Sequence, residues 1–132
     1  MCVSDAIAAI KFYERVFDAT VRERHEEASG KVSNAVLAIG NSSLMLSDES
    51  SEHSKAHAEE GWPKSPKSLR GSSASLYVYV VDADAILERA AAAGVRVIRP
   101  VSAAAWGDRL GSFEDPSGHV WNVATHIKPL PH

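Results

Sequence analysis

Few of the chain's reactive side chains are spaced for catalysis. His53 and His57 stand four residues apart, which would put both imidazoles on one helix face. No His-Glu-x-x-His arrangement surrounds them and the segment is polar, so they read as solvated loop histidines. Ser75 has no recognisable His and acid partner, and the glycines form no phosphate-binding strand–loop–helix motif. Cys2, alone near the amino terminus, reads as packing rather than as a thiolate catalyst. Asp108 and Arg109 are adjacent and lie between Trp106 and Phe113. They suit a structural ion pair with the hairpin or a dimer partner, with use of Arg109 on an anionic or carbonyl group as the alternative. Glu49, Asp108 and His119 are the candidates for acid–base work, although His119 follows a turn glycine and reads first as a turn residue. Binding chemistry is better represented. Asn34 and Asn122 fall in strand-like segments, where an amide is either locked to backbone or offered to a ligand. Trp62, Tyr77, Tyr79 and Trp106 supply flat surfaces with one polar handle each.

The elements that must position these groups recur at an offset of 77 residues, as from Asp5 to Asp82. Residues 5–18 have helical spacing of Ile7, Ile10, Tyr13 and Phe17, with Ser4 or Asp5 to cap the first turn. Strands are expected over 20–24, 31–39 and 44–46. Residues 47–72 are polar, with prolines at 63 and 66, and read as a long surface loop with a helical turn through 52–60. That loop is either a connector or a lid carrying Trp62. The second half opens with a strand at 75–80, then a helix over 83–93 capped by Asp82 or Asp84 and stopped by Gly94. A strand at 95–98 follows, and 107–114 and 119–125 form a hairpin across Asp115-Pro116-Ser117-Gly118. The end, Pro129-Leu130-Pro131-His132, reads as a frayed tail.

With 132 residues and 45% apolar content, the chain suits one cored domain. Fourteen Lys and Arg against 17 Asp and Glu give a formal charge of -3, which offers no basic excess for nucleic acid. A single cysteine cannot form an internal disulfide, and the opening Met-Cys-Val-Ser-Asp lacks the pattern of a secretion signal. A cytoplasmic protein with no membrane or nucleic-acid partner is expected.

Four segments then carry a resemblance: Asp5-Ala6-Ile7-Ala8-Ala9-Ile10-Lys11-Phe12-Tyr13-Glu14-Arg15-Val16-Phe17, residues 39–49, Val81-Asp82-Ala83-Asp84, and residues 100–126. Within the last, Trp106-Gly107-Asp108-Arg109 and Asp115-Pro116-Ser117-Gly118-His119-Val120-Trp121 are the most specific. In these the chain resembles the vicinal-oxygen-chelate superfamily of glyoxalases, bleomycin-resistance proteins and extradiol dioxygenases, and more narrowly its PhnB-like branch. The resemblance implies an α+β fold of paired βαβββ modules, curved mixed sheets around a cleft, and a homodimer. The modules would span about 1–48 and 74–126 of a single domain over 1–132, joined by a 49–73 loop. It also implies that metal ligands, where the superfamily has them, would fall at Met45, Ser75 and Asn122, with the fourth position preceding Met1. A thioether, an alcohol and an amide are poor ligands for a divalent ion, so no metal or other cofactor is expected. The resulting expectation is metal-independent sequestration of a bulky aromatic or peptide-like small molecule, such as a planar natural-product antibiotic. Asn34, Met45, Trp62, Ser75, Tyr77, Trp106, Arg109 and Asn122 are the expected ligand-binding residues. The alternative is a lyase- or isomerase-like enzyme of the same superfamily.

Overall fold

The computed structural model describes residues 1–127, and the expected terminal tail at 129–132 lies outside them. The elements in chain order are β1 (Cys2–Val3), α1 (Ala6–Phe17), β2 (Thr20–Glu26), β3 (Val32–Ile39), β4 (Ser42–Asp48), α2 (Glu52–Ala56), a 3-10 turn (Ala58–Glu60), α3 (Pro66–Leu69), β5 (Ser75–Tyr79), α4 (Ala83–Ala92), β6 (Val97–Ala103), β7 (Asp108–Glu114) and β8 (Val120–His126). Two tandem βαβββ modules are therefore present, each building a four-stranded mixed sheet, in the orders β1-β4-β3-β2 and β5-β8-β7-β6. In each sheet the first strand runs parallel to the last, and the remaining pairs are antiparallel. The chain forms two compact units. The first comprises Met1–Gly71 with Pro116–Gly118, and the second Ser72–Asp115 with the strand from His119 onward.

The 77-residue offset is written into the hydrogen bonding. In the first unit the Asp5 side chain caps α1 by accepting from the Ala8 amide at 3.1 Å, and the Ala6 amide donates to Asp48 Oδ2 at 2.9 Å. In the second, Asp82 accepts from the Ala85 amide at 3.1 Å, and the Ala83 amide donates to Thr125 Oγ1 at 2.7 Å. Each helix thus has its first orphan amides satisfied, one by its own cap and one by the last strand of its sheet. Asp82, not Asp84, is the cap of α4, and Gly94 at φ +88° ends that helix as expected. The buried residues of α1 are Ala6, Ala9, Ile10, Phe12, Tyr13, Val16 and Phe17. Ile7, expected among them, is 39% exposed.

The opening strand that a βαβββ module requires, β1, is only two residues long and has no local signal in the sequence. It pairs Cys2 with Ser47 and Val3 with Asp48, and two residues are too few to show an alternation. The expected strand at 95–98 lies instead at 97–103, and it contains Pro100. β6 is an edge strand with register irregularities between Val97 and Arg99 and between Arg99 and Ser102, where a missing amide donor is tolerated. The 47–72 region is more ordered than a loop. Ser51 caps α2, Ser65 caps α3 with Pro66 in its first turn, and Glu49 accepts from the Ser65 amide and the Ser68 hydroxyl. This segment belongs to the first unit. Among the described residues, no helix is long and apolar enough to cross a membrane.

Candidate functional site

Strand alternation divides the sheet of the second unit into two chemical faces. On one face Gly111 and Phe113 of β7 and Val123 of β8 pack under α4. A Cβ at Gly111 would lie 2.8 Å from Val101 Cγ2 and 3.0 Å from Leu87 Cγ, so α4 and β6 meet β7 where there is no room for a side chain. The other face carries no helix. Across it run Ser112, Asn122 and Tyr77 in one register row, Leu110, Ala124 and Tyr79 in the next, and Asp108 with His126 in a third.

Asp108 is fully buried on this open face and collects four partners. Tyr77 donates its hydroxyl to Oδ2 at 2.7 Å, Tyr79 at 3.0 Å and Trp106 Nε1 at 3.0 Å. His126 Nδ1 lies 2.8 Å from Oδ1. An ionised carboxylate only accepts, so Nδ1 carries the proton in this contact and Nε2 is the nitrogen left for other chemistry. Trp106 Nε1 also reaches the Tyr77 hydroxyl at 3.2 Å, and the Tyr77 and Tyr79 rings lie 5.4 Å apart. The hydrogen bond from His126, followed by that from Tyr77, holds the Asp108 carboxyl below its usual range. Burial, and then the bond to Asp108, pushes the Tyr77 phenol up to about 12, so it remains a neutral donor at physiological pH. The polar ends of three aromatic side chains are thus pinned on one anion, while the residues remain 44% (Tyr77), 60% (Tyr79) and 48% (Trp106) exposed.

Beside Trp106 lies a cavity of about 230 Å³, lined also by Arg99, Ser102, Ala103, Leu110 and Ser112. Ser112 Oγ donates to Asn122 Oδ1 at 2.8 Å, and Asn122 Nδ2 donates to Ser75 Oγ at 3.0 Å and to the Leu76 carbonyl at 3.1 Å. The Asn122 amide is therefore held at both ends by its own sheet.

The second unit thus brings Ser75, Tyr77, Trp106 and Asn122 onto one face. Arg109 is not on it. As the next residue after Asp108 it points to the opposite side, where its fork grips Asp84 of α4 at 2.9 and 3.0 Å. Arg109 thus forms a structural ion pair, with α4 rather than with the hairpin, while Asp108 has partners of its own on the other face. Asn34 and Met45 lie in the first unit, cross-paired with Ser47 and Val36. Asn34 is exposed rather than buried, and Met45 is 63% exposed. Trp62 packs edge-on against His53 at 5.1 Å and near His57 at 5.7 Å, and His57 Nδ1 meets Glu60 at 2.8 Å. Of the acid–base candidates, Glu49 is committed to the α3 segment. Burial works against its charge, but the bonds from Ser65 and Ser68 prevail and keep its carboxyl below the usual range. His119 donates its amide to Asp115 Oδ1 at 3.0 Å, in the turn. Tyr79 was a lesser candidate in the sequence and His126 carried no pattern there, yet both join the cluster. The spacing of Tyr77 with Tyr79 and of Trp106 with Asp108, two residues apart in each case, was the available signal.

Residues 1–123 match the family described as the Glyoxalase/Bleomycin resistance protein/Dioxygenase superfamily. The chain belongs to that superfamily. An uncharacterised protein of Mycobacterium bovis is 34% identical to this superfamily member over 130 residues, covering 98% of the chain and 82% of the relative. Among solved structures, TioX from Micromonospora sp. ML1 superposes with a TM-score of 0.69 at 24% identity, covering 96% of this chain and 94% of that one. A glyoxalase-related enzyme from Fulvimarina pelagi does so with a TM-score of 0.70 at 22% identity, covering 95% and 84%. These two likenesses show the shared fold.

For a superfamily that includes metalloenzymes, the donor set at the expected ligand positions is a test of this member. Ser75 offers an alcohol, Asn122 an amide whose oxygen already accepts from Ser112, and Met45 a thioether. Those residues do not fit a divalent cation. Among the described residues, no group of three or more His, Cys, Asp or Glu side chains is placed to hold a metal ion.

Proposed function

We propose that this protein binds and sequesters, without a metal, a bulky aromatic or peptide-like small molecule on the open face of its second sheet. On this reading it belongs to the PhnB-like branch, acts in the cytoplasm as a homodimer, and serves antibiotic resistance. The observation that carries the reading is the trio of half-exposed rings, Tyr77, Tyr79 and Trp106, whose polar ends are fixed on buried Asp108 beside the cavity. Rings held in this way lose little rotamer freedom when a planar ligand settles on them, which removes one of the main costs of binding. A cavity of about 230 Å³ receives a single ring system, and the remainder of a larger molecule would spread over the exposed aromatics. Bleomycin resistance is among the functions in the superfamily's description.

A second reading, a lyase- or isomerase-like enzyme, draws on the His126–Asp108 contact of 2.8 Å. There the buried carboxylate orients an imidazole whose Nε2 faces outward chemistry, the geometry a general base needs. One experiment separates the two. Chelator-treated protein is screened by tryptophan fluorescence against bleomycin and a panel of planar aromatic antibiotics, and the tightest ligand is recovered after long incubation. Sequestration returns it unchanged. Product formed in proportion to protein, and lost in His126→Ala, establishes the enzyme instead.

A further inference from the structure

Arg99 is the cationic side chain in the cavity wall, and it is exposed. In the same unit Arg96 pairs with Glu114 at 3.3 Å and Arg109 with Asp84 at 2.9 Å. Arg99 makes no ion pair or side-chain hydrogen bond among the described residues. Asp108, on the same sheet face, does not neutralise it, because that carboxylate is fully buried and taken up by Tyr77, Tyr79, Trp106 and His126. Arg99 stands opposite Ser112 in the β6–β7 register, so its guanidinium begins the polar row that continues through Ser112 to Asn122. The rest of the wall combines the Ser102 hydroxyl with Ala103, Ala104, Leu110 and Trp106.

We infer that this cavity selects an aromatic carboxylate, with Arg99 anchoring the carboxylate and Trp106 flanking the ring. The inference rests on the aromatic-binding reading above and adds the charge of the ligand to it. A guanidinium presents a planar fork that matches a carboxylate with two parallel hydrogen bonds. One cation balances one carboxylate, whereas a phosphate dianion would keep a second, uncompensated charge beside the Trp106 and Leu110 side chains.

The test is isothermal titration calorimetry near neutral pH with two probes of the same shape, 2-naphthoate and 2-naphthamide. The acid binds the parent about 5- to 10-fold more tightly than the amide, the range for a partly sheltered charged contact. Arg99→Gln brings the acid down to the level of the amide and leaves the amide unchanged, and Arg99→Lys keeps part of the preference. Because Arg99 is exposed and unpaired, neither change disturbs packing. Equal affinities in the parent, or a preference that survives Arg99→Gln, overturn the carboxylate assignment and leave aromatic binding standing. Failure of both probes to bind at millimolar concentration overturns both.

Discussion

Truncating Trp106 to alanine is the most direct challenge to the aromatic platform. The side chain is 48% exposed. Out of roughly 250 Å² for a tryptophan, about 120 Å² is therefore open to a ligand. A planar molecule covering about half of that removes ~60 Å² from water, which is about 1.5 kcal/mol at ~25 cal/mol per Å². Stacking adds roughly 0.5–1.5 kcal/mol, so Trp106→Ala should weaken the best ligand about 30- to 150-fold. The indole also donates to Asp108 and reaches the Tyr77 hydroxyl, so its loss frees the two groups that orient the neighbouring ring. Trp106→Phe isolates that second contribution. It keeps a ring face while removing the N–H, and should cost only about 3- to 10-fold. Affinities are read by calorimetry on protein whose urea midpoint and near-ultraviolet circular dichroism match the parent. A folded Trp106→Ala protein that binds within twofold of the parent refutes the platform.

Three further outcomes follow from the same geometry. Gly111→Ala forces a methyl to 2.8 Å from Val101 Cγ2 and 3.2 Å from the Val101 backbone nitrogen, and should cost about 1–3 kcal/mol in urea unfolding; an unchanged midpoint would mean that α4 and β6 do not close on β7 there. The folded Asp108 carboxyl titrates below its unfolded value of about 4, so its stabilisation is present above that value and is lost as pH falls through the folded one. Comparing parent with Asp108→Asn from about pH 6 down to about pH 3 should show the gap in urea midpoint narrowing with acidity, whereas a constant gap would remove the assigned ionisation. Light scattering at micromolar concentration should give the mass of two chains, and a monomer throughout would contradict the proposed assembly.

The scaffold was legible in the sequence because its signals are local and repeated. Asp5 and Asp82 stand 77 residues apart, each directly before an apolar-periodic helix, and both serve as caps. The candidate site was legible only in part. Tyr77, Tyr79, Trp106, Asp108 and His126 come from three strands and a turn, and they meet only once β5 pairs with β8 and β8 with β7. Nothing local links residue 77 to residue 108. Strand parity, by contrast, was a usable guide to two charged neighbours. Asp108 and Arg109 are chain neighbours, so in a strand they must face opposite sides, and each found its partner there. In the 47–72 region, Ser65-Pro66 carried a helix-start signal that the polar composition around it obscured.

The alternation in β7 and β8 also makes the second sheet a surface that can be rewritten. Gly111, Phe113, Val123 and Thr125 register α4, while Leu110, Ser112, Asn122 and Ala124 alternate with them and touch none of the helix clamp. Ser112 and Ala124 are themselves buried. Changes at the accessible positions of that face, Leu110 in the cavity wall and Tyr79 of β5, would alter recognition without shifting the helix, so a library randomised there samples new ligand preferences on a fixed frame. A library at the helix-facing positions would instead sample folding defects. One backbone thus carries two nearly independent alphabets, one for holding shape and one for choosing what binds.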